Sequence, residues 1–202
     1  MSNSESQLNA LLAGNESAIR QLFESNRGRL TRMVGARMDA RVSARFDPSD
    51  VVQEALLDAY QRLPTYLDNP SVPLYVWLRK LTWEHLVQLQ RKHLGAEKRS
   101  VTHEQPNPAT ANDDSEMLLA ERLVSNLTGP TERAIRSETH RRLRAALQLL
   151  RPRDREVLEL RYLEQMDTGE IAAALEIREG AVVTRHFRAI QRLQELIEIT
   201  SK

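Results

Sequence analysis

Hydrophobic residues along this chain recur at intervals of three and four, which is the spacing of one face of an α-helix. Such stripes run through residues 17–38, 49–63, 74–93, 131–150 and 154–162, and a shorter apolar segment covers residues 8–13. Each stripe predicts an amphipathic helix that buries its apolar face. Helix-forming residues dominate the composition and aromatic residues make up only 4% of it, so an all-α protein is expected.

Proline and glycine mark where these helices are expected to begin and end. Asp47 followed by Pro48 suits the cap and first turn of a helix, because proline at that place loses no hydrogen bond that the helix needs. Three prolines between residues 64 and 73 predict a loop over that range. Further breaks are expected at Gly129-Pro130 and Arg151-Pro152.

The composition changes between residues 101 and 130, where Pro, Asn, Thr, Asp and Ser become frequent. This segment contains one basic residue against five acidic ones, while the whole chain carries a formal charge of +1. Such a composition predicts a flexible acidic linker, within which residues 117–127 are expected to form a short helix. The sequence therefore predicts two small helical domains, at residues 1–100 and 131–202.

Several function classes are excluded or disfavoured by composition. The chain has no cysteine, which removes disulfides, cysteine-ligated zinc and thiol nucleophiles. The first residues lack the basic start and long apolar run of a signal peptide, and no window reaches membrane-spanning length, so a soluble, intracellular protein is expected. The small net charge does not indicate nucleic acid by itself, and a DNA-binding role must rest on local clusters.

Residues 167–193 predict a helix-turn-helix. Asp167 and Glu170 have the spacing of a capping box, which would start a short first helix. A second helix from Glu179 is expected to bury Val182, Ala189, Leu193 and Leu196. Its other faces keep Arg178, Thr184, Arg185, Arg188 and Arg192. A DNA-reading helix needs this division, although an ordinary helical hairpin with a solvated basic face fits the same residues.

The helix predicted at residues 49–63 has an acidic edge at helical spacing, made of Asp50, Gln53, Glu54 and Asp58. A metal site or a carboxylate pair is the weaker interpretation, because no histidine or second acidic cluster accompanies these residues.

The helix predicted at residues 74–93 carries a basic surface made of Arg79, Lys80, Arg91 and Lys92. Trp83 faces away from the apolar stripe, where it either packs on another element or stacks on a base. His85 lies in the stripe and is interpreted as a satisfied boundary histidine and not as a ligand.

Two separate segments resemble one family. The segment SDVVQEALLDAYQRL resembles the helix by which extracytoplasmic-function sigma factors, members of the sigma-70 family, dock on the clamp helices of RNA polymerase. The following VPLYVWLRKLTWEHLVQLQRK resembles their minus-10-binding helix. The segment LRPRDREVLELRYLEQMDTGEIAAALEIREGAVVTRHFRAIQRL resembles their minus-35-reading module. Because both matches occur in the family's order and separation, the chain is identified as a member of this class of bacterial transcription-initiation subunit.

The resemblance implies a role for each part of the chain. Residues 1–100 would be sigma region 2, residues 101–130 the linker and residues 131–202 sigma region 4. The residues implied in polymerase binding are Asp50, Gln53, Glu54 and Asp58. Those implied in minus-10 DNA binding are Asp68, Asn69, Ser71, Arg79, Lys80, Trp83, Arg91 and Lys92. Those implied in minus-35 DNA binding are Arg178, Glu179, Thr184, Arg185, Phe187, Arg188 and Arg192.

Some residues depart from the family's pattern. Glu176 stands where the turn usually has glycine, so either it adopts a left-handed conformation or the turn is built differently. Val183 replaces a common lysine, and His186 takes a usually apolar position beside Phe187, which leaves open which of the two faces the core. Glu84 and Gln88 stand where asparagine and aspartate are common.

The function expected is that of a non-catalytic sigma subunit, which needs no cofactor or metal and works in the cytoplasm. Its expected partners are core RNA polymerase and promoter DNA, and a dedicated anti-sigma protein is a further partner that the resemblance allows. A free-standing DNA-binding regulator is the alternative, but it does not explain residues 50–99. An adaptor or hydrolase that uses Asp50 and Glu54 is a third and weaker interpretation.

Overall fold

The computed structural model describes residues 16–97, 117–123 and 133–199. These residues form helices and connecting turns, with no β-strand among them, which confirms the all-α prediction. The chain divides into two compact units, Met1–Asn107 and Pro108–Lys202. None of the helices in the described ranges is both long and apolar enough to cross a membrane.

The described residues of the first unit, 16–97, form four helices. They are α1 (Glu16–Arg37), α2 (Ala40–Ser43), α3 (Pro48–Asp68) and α4 (Leu74–Glu97). Helix α3 packs on α1 and α4, and α1 also packs on α4. The core between them is formed by Leu30, Met33 and Val34 of α1, Val52, Ala55 and Ala59 of α3, and Tyr75, Leu78 and Leu86 of α4. Burying these side chains is the main force that holds the three long helices together.

Helix α3 begins as the sequence predicts and ends later than it predicts. Asp47 caps it, because its carboxylate accepts the Ser49 backbone N–H at 2.7 Å while Pro48 occupies the first turn. The predicted loop at residues 64–73 is wrong for its first half, since the helix continues through Pro64 to Asp68.

The last turn of α3 is held by its packing. Tyr66 is buried, its hydroxyl donates to the Val72 carbonyl at 2.9 Å, and its ring stacks on Trp77 with centroids 4.5 Å apart. These contacts offset the backbone hydrogen bond that proline cannot make. Pro64 itself is exposed, so water can reach the carbonyl that its ring leaves without an amide partner.

Helix α4 is fixed to its neighbours by polar contacts as well as by its core face. The Arg29 guanidinium of α1 lies over the Tyr75 ring at 3.5 Å from its centroid, which is a cation–π contact. Nε2 of His85 lies 3.1 Å from a carboxylate oxygen of Asp58 on α3. This hydrogen bond confirms the interpretation of His85 as a satisfied boundary histidine.

Part of the predicted linker is helical in the structure. Residues 117–123 form helix α5, in which Leu119, Ala120 and Leu123 are buried. The short helix predicted at residues 117–127 is therefore present over its first seven residues. The rest of the predicted linker, like the apolar segment at residues 8–13, lies outside the described residues.

The second unit places one long helix against three shorter elements. They are α6 (Arg133–Leu149), α7 (Pro152–Leu158), α8 (Thr168–Leu175) and α9 (Glu179–Ile199), and α9 packs on the other three. The four residues predicted to face inward on α9, Val182, Ala189, Leu193 and Leu196, are all buried. Leu143, Ala146 and Leu147 of α6 and Leu150 directly after it are buried as well, and they lie on the apolar stripe predicted over residues 131–150.

Helix α7 runs into a π-helical turn that the sequence did not reveal. The turn covers Glu159–Leu163, and the Glu164 amide donates to the Glu159 carbonyl at 3.1 Å. Such a turn widens the helix by one residue and changes the direction in which later side chains point. Here Leu160 and Leu163 stay buried, while Tyr162 is directed at α9.

Candidate nucleic-acid interface

Helix α8 and helix α9 form the predicted helix-turn-helix. The capping box at the start of α8 is complete, because Asp167 accepts the Glu170 amide at 2.7 Å and Glu170 accepts the Asp167 amide at 3.0 Å. The turn that follows has Glu176 in the left-handed conformation, with φ 54° and ψ 40°. The sequence left open whether Glu176 adopts a left-handed conformation or the turn is built differently, and the structure shows the left-handed conformation.

A groove of about 1090 Å³ runs along the exposed side of α9. From α9 it is lined by Gly180, Ala181, Thr184, Arg185, Arg188, Gln191, Arg192 and Glu195. From the start of α7 it is lined by Arg151, Pro152, Arg153 and Asp154. Five arginines against two carboxylates make this groove cationic, which suits a polyanionic partner. Gly180 and Ala181, near the N-terminus of α9, have small side chains, so a partner can approach the helix backbone closely there.

Four of the predicted minus-35 residues share this groove. Arg185 is half-buried and Arg188 is exposed, while Arg192 forms an ion pair with Glu195 at 3.2 Å. The Thr184 hydroxyl donates to the Gly180 carbonyl at 2.9 Å, which leaves its oxygen free to accept a hydrogen bond from outside. The groove therefore offers two arginine forks and one acceptor on the same face of α9.

The other three predicted minus-35 residues lie outside the groove lining. Arg178 and Glu179 are exposed at the N-terminal end of α9. Phe187 is 61% exposed beside Val183, which is 58% exposed. These two side chains form a small apolar strip on the flank of α9.

His186 and not Phe187 faces the interior of the second unit. Its Nε2 shares a hydrogen bond with the Tyr162 hydroxyl at 3.1 Å. Burial lowers the pKa of His186 below its ordinary value, and the nearby Arg161 charge lowers it further. A neutral imidazole at this position anchors α9 to the π-helical turn.

In the first unit, the predicted acidic edge lies on the outer side of α3. Asp50, Gln53 and Glu54 are exposed there. Asp58 is half-buried and engaged, because Arg62 donates to its carboxylate at 2.7 Å and His85 lies 3.1 Å away. Burial alone would raise the pKa of Asp58, but the hydrogen bonds from His85 and Arg62 hold it below its ordinary value.

Two apolar residues interrupt that acidic edge, and the sequence analysis missed them. Leu57 is 63% exposed and Tyr60 is 49% exposed, between Gln53 and Gln61 on the same face of α3. The pair Leu56-Leu57 contained a signal, since adjacent residues on a helix point about 100° apart and a narrow core-facing stripe leaves one of them more exposed. We define the α3 surface as Asp50, Gln53, Glu54, Leu57 and Tyr60.

The predicted minus-10 residues fall into a loop and a helix face. Asp68, Asn69 and Ser71 are exposed where α3 ends, and the Ser71 amide donates to the Asn69 carbonyl at 2.9 Å, so the loop has a defined turn. On α4 the exposed members are Lys80, Arg91 and Lys92. Arg79 and Trp83 are half-buried.

Comparisons with known proteins agree with this geometry. Residues 140–193 match the family described as Sigma-70, region 4, a range that includes α8, the turn and most of α9. The chain is 27% identical to the ECF RNA polymerase sigma factor SigD of Mycobacterium tuberculosis over 186 residues, which are 92% of this chain and 80% of that protein. It is 29% identical to the RNA polymerase sigma-E factor of Streptomyces coelicolor over 149 residues, 74% of this chain and 71% of that one.

Residues 140–193 therefore belong to the sigma-70 region 4 family, and the chain is similar to extracytoplasmic-function sigma factors over most of its length. A solved structure of the sigma factor RpoE in complex with the anti-sigma factor NepR, from Bartonella quintana, is similar at 16% identity with a TM-score of 0.45, and the match covers 91% of this chain and 96% of that one. The region 4 match begins at His140 on α6 and ends at Leu193 on α9. It therefore contains all seven predicted minus-35 residues.

The groove beside α9 also has residues that the sequence analysis did not assign. Arg151 belongs to the predicted break at Arg151-Pro152 and Arg153 was given no role, because their sequence position gives no sign that they lie beside α9. Only the packing of α7 on α9 brings them to the groove.

Proposed function

We propose that this sigma factor binds core RNA polymerase, recognises the minus-10 and minus-35 elements of a promoter and directs transcription initiation. The polymerase carries out the chemistry in the cytoplasm, and the chain itself is not an enzyme. One observation carries the proposal: Thr184, Arg185 and Arg188 line a single groove on the second helix of a helix-turn-helix. That helix lies in the segment that matches sigma region 4.

Recognition of the minus-35 element is assigned to the groove face of α9. A major groove about 12 Å wide admits an α-helix, and arginine bidentate to guanine is the commonest specific contact. Arg185 and Arg188 supply such forks, and Thr184 supplies an acceptor for an exocyclic amine. Phe187, on the flank of α9, would meet a thymine methyl group, while Arg178 and Arg192 would hold phosphates.

Recognition of the minus-10 element is assigned to the loop after α3 and the exposed side of α4. Asp68, Asn69 and Ser71 offer polar edges for a base that leaves the stack, and the hydrogen bond from the Tyr66 hydroxyl to the Val72 carbonyl ties this loop to α3. Lys80, Arg91 and Lys92 would neutralise phosphates, which adds affinity without reading sequence. Trp83 offers part of its ring for stacking.

Binding of core polymerase is assigned to the α3 surface. Its acidic residues would speed the encounter with a basic partner more than they tighten the complex. Leu57 and Tyr60 supply the apolar centre that an interface needs, because a few buried apolar and aromatic anchors carry most of the binding free energy. Asp58 is tied to α4 by His85 and is expected to support this surface from the side.

The deciding experiment is promoter-specific transcription with purified core polymerase. A promoter is first selected from a randomised DNA library by its binding to the holoenzyme. We expect core polymerase with added sigma factor to produce a transcript with a defined start site from this promoter. Sigma factor that binds the same DNA without core and yields no transcript would instead indicate a free-standing regulator. Failure to associate with core at any concentration would refute the proposal. An anti-sigma protein stays a prediction from the resemblance.

Base recognition is tested by Arg185→Ala. Loss of a bidentate contact is expected to reduce binding to the selected minus-35 sequence by roughly 1–3 kcal/mol, and to relax the preference at one base position. Binding to core should be unchanged, because Arg185 lies in the second unit and the α3 surface in the first. The matched control is Arg141→Ala, an exposed arginine of α6 outside the groove. Equal loss of core binding and promoter binding would contradict the assignment.

A further inference from the structure

The groove beside α9 has a second wall that base recognition does not use. Arg151 and Arg153 flank Pro152 at the start of α7, and both are exposed, with 77% of the Arg151 side chain accessible. They line the same groove as Arg185, Arg188 and Arg192. Arg151 has one long contact, 3.9 Å from an Asp154 carboxylate oxygen, and such a long contact made by an exposed arginine contributes little to stability.

The position of this wall suits phosphates and not bases. When α9 occupies a major groove, residues on α9 itself meet the base edges, and residues on an element packed beside it meet the sugar-phosphate backbone that borders the groove. Arg151 and Arg153 belong to that neighbouring element, since α7 packs along α9. Their long side chains extend from exposed backbone, so they can reach the DNA with little rearrangement.

We propose that Arg151 and Arg153 form a phosphate clamp, which grips the DNA backbone bordering the minus-35 element and adds affinity that is independent of base sequence. The inference rests on the proposed function, because it needs α9 to enter that major groove. Each neutralised phosphate releases condensed counterions, so two contacts should contribute about 1.8 to the slope of log K against log salt concentration. Removing the clamp should lower that slope by the same amount.

The test compares holoenzymes made with the unchanged chain and with an Arg151→Gln, Arg153→Gln double variant. Binding to the selected promoter fragment is measured between 50 and 200 mM salt, and to a second fragment with a scrambled minus-35 element. We expect the double variant to lose affinity on both fragments by a similar factor. Its deficit should shrink by about tenfold across that fourfold range of salt, because its slope is shallower by about 1.8.

Two controls separate charge from folding. Arg20→Gln with Arg45→Gln removes the same charge from exposed positions of the first unit and should leave the slope unchanged. Arg151→Lys with Arg153→Lys keeps the charge and should restore most of the slope, since a phosphate accepts a lysine ammonium as well. Neutralising the phosphates that border the minus-35 element as methylphosphonates should weaken the unchanged holoenzyme and leave the double variant nearly unaffected.

The outcomes distinguish this inference from the function on which it rests. If holoenzyme with the unchanged chain does not retain the selected promoter, the proposed function fails. If it retains the promoter and the double variant keeps the same salt slope, only the clamp is overturned. A loss confined to the selected minus-35 sequence would also overturn it, because that result would mean base recognition by these arginines.

Discussion

At the scale of single residues, the turn of the helix-turn-helix stores backbone strain. Glu176 has φ 54°, a left-handed conformation that costs a residue with a side chain roughly 1–2 kcal/mol. The Ile177 amide donates to the Ala172 carbonyl at 3.0 Å, and the Glu176 amide points at the Ala173 carbonyl at 3.4 Å, which is the Schellman arrangement that normally carries glycine. The hydrogen bonds hold the strain in place.

Glu176→Gly should therefore stabilise the second unit. Glycine adopts this conformation without strain. It also increases the conformational entropy of the unfolded chain, which offsets part of the gain, so we expect an increase of about 1 kcal/mol in the free energy of unfolding. Hydrogen exchange of peptides from α8 and α9 would measure it, and peptides from α3 and α4 in the same sample serve as the control. A decrease in protection around α8 would contradict this account of the turn.

The pKa of His186 makes a second residue-scale prediction. Its folded-state pKa lies below the ordinary value of 6.5, so the unfolded chain takes up a proton more readily than the folded one. The stability it contributes is then fully present above about pH 6.5 and is lost as the pH falls through the lower, folded-state pKa. The second unit should weaken over this acidic range, and His186→Leu should remove that part of the pH dependence. Urea unfolding of the unchanged chain and of His186→Leu at a series of pH values would measure this. If both lose the same free energy of unfolding as the pH falls, His186 is not the cause of the acid sensitivity.

At the scale of elements, helix boundaries separate what could be predicted from what could not. The start of α3 follows from Asp47 and Pro48 alone, because capping is a local property. Its end does not, since Pro64 indicates a break that Tyr66 overrides by burying its ring against Trp77. The π-helical turn after Leu158 also follows from packing, with no local sequence signal.

Pro64→Ala should stabilise the first unit, because alanine restores the backbone hydrogen bond to the Tyr60 carbonyl and has a better helix propensity. The gain is expected to be about 2 kcal/mol, after allowing for the greater entropy of the unfolded chain. Pro70→Ala is the matched control, since residue 70 lies outside the helix and restores no such bond. Hydrogen exchange of α3 peptides would measure the stability of the helix in both variants. Equal protection in Pro64→Ala and Pro70→Ala would contradict the idea that Pro64 weakens α3.

The candidate site shows the same limit. The buried stripe of α9 was predictable in full, because its spacing alone decides which face is apolar. The members of the groove were predictable only in part, since Arg151 and Arg153 come from a different helix. The exposure of Leu57 required knowing which of two adjacent leucines faces α1 and α4. Patterns along one helix therefore determine its faces, and contacts between helices determine which faces form a site.

At the scale of the whole molecule, polymerase binding and minus-35 recognition are assigned to different compact units. The residues proposed to bind the minus-10 element also belong to the first unit, on the loop after α3 and on α4. Residues that affect one activity should therefore leave the other intact. This separation makes each assignment testable in the full chain.

The two kinds of residue on the α3 surface should affect core binding through different rates. Asp50→Lys with Glu54→Lys should slow association, and the effect should weaken at high salt, since it removes long-range attraction. Leu57→Ala should mainly speed dissociation, with a loss of about 1–2 kcal/mol typical of an interface anchor. Leu149→Ala, an equally exposed leucine of the second unit, is the control. Surface-based kinetics with immobilised core would separate the rates, and an unchanged dissociation rate for Leu57→Ala would remove it from the interface.

The positions of the two tryptophans have a practical consequence. Trp77 and Trp83 are the only tryptophans in the chain, and both lie on α4, the helix assigned to the minus-10 element. Trp77 is sheltered by its stack on Tyr66, whereas Trp83 keeps part of its ring accessible. Because nucleobases quench indole emission on contact, the chain carries its own optical reporter of strand separation. Stopped-flow fluorescence of unlabelled holoenzyme could then follow promoter melting in real time, with Trp83→Phe as the reference that lacks the Trp83 signal.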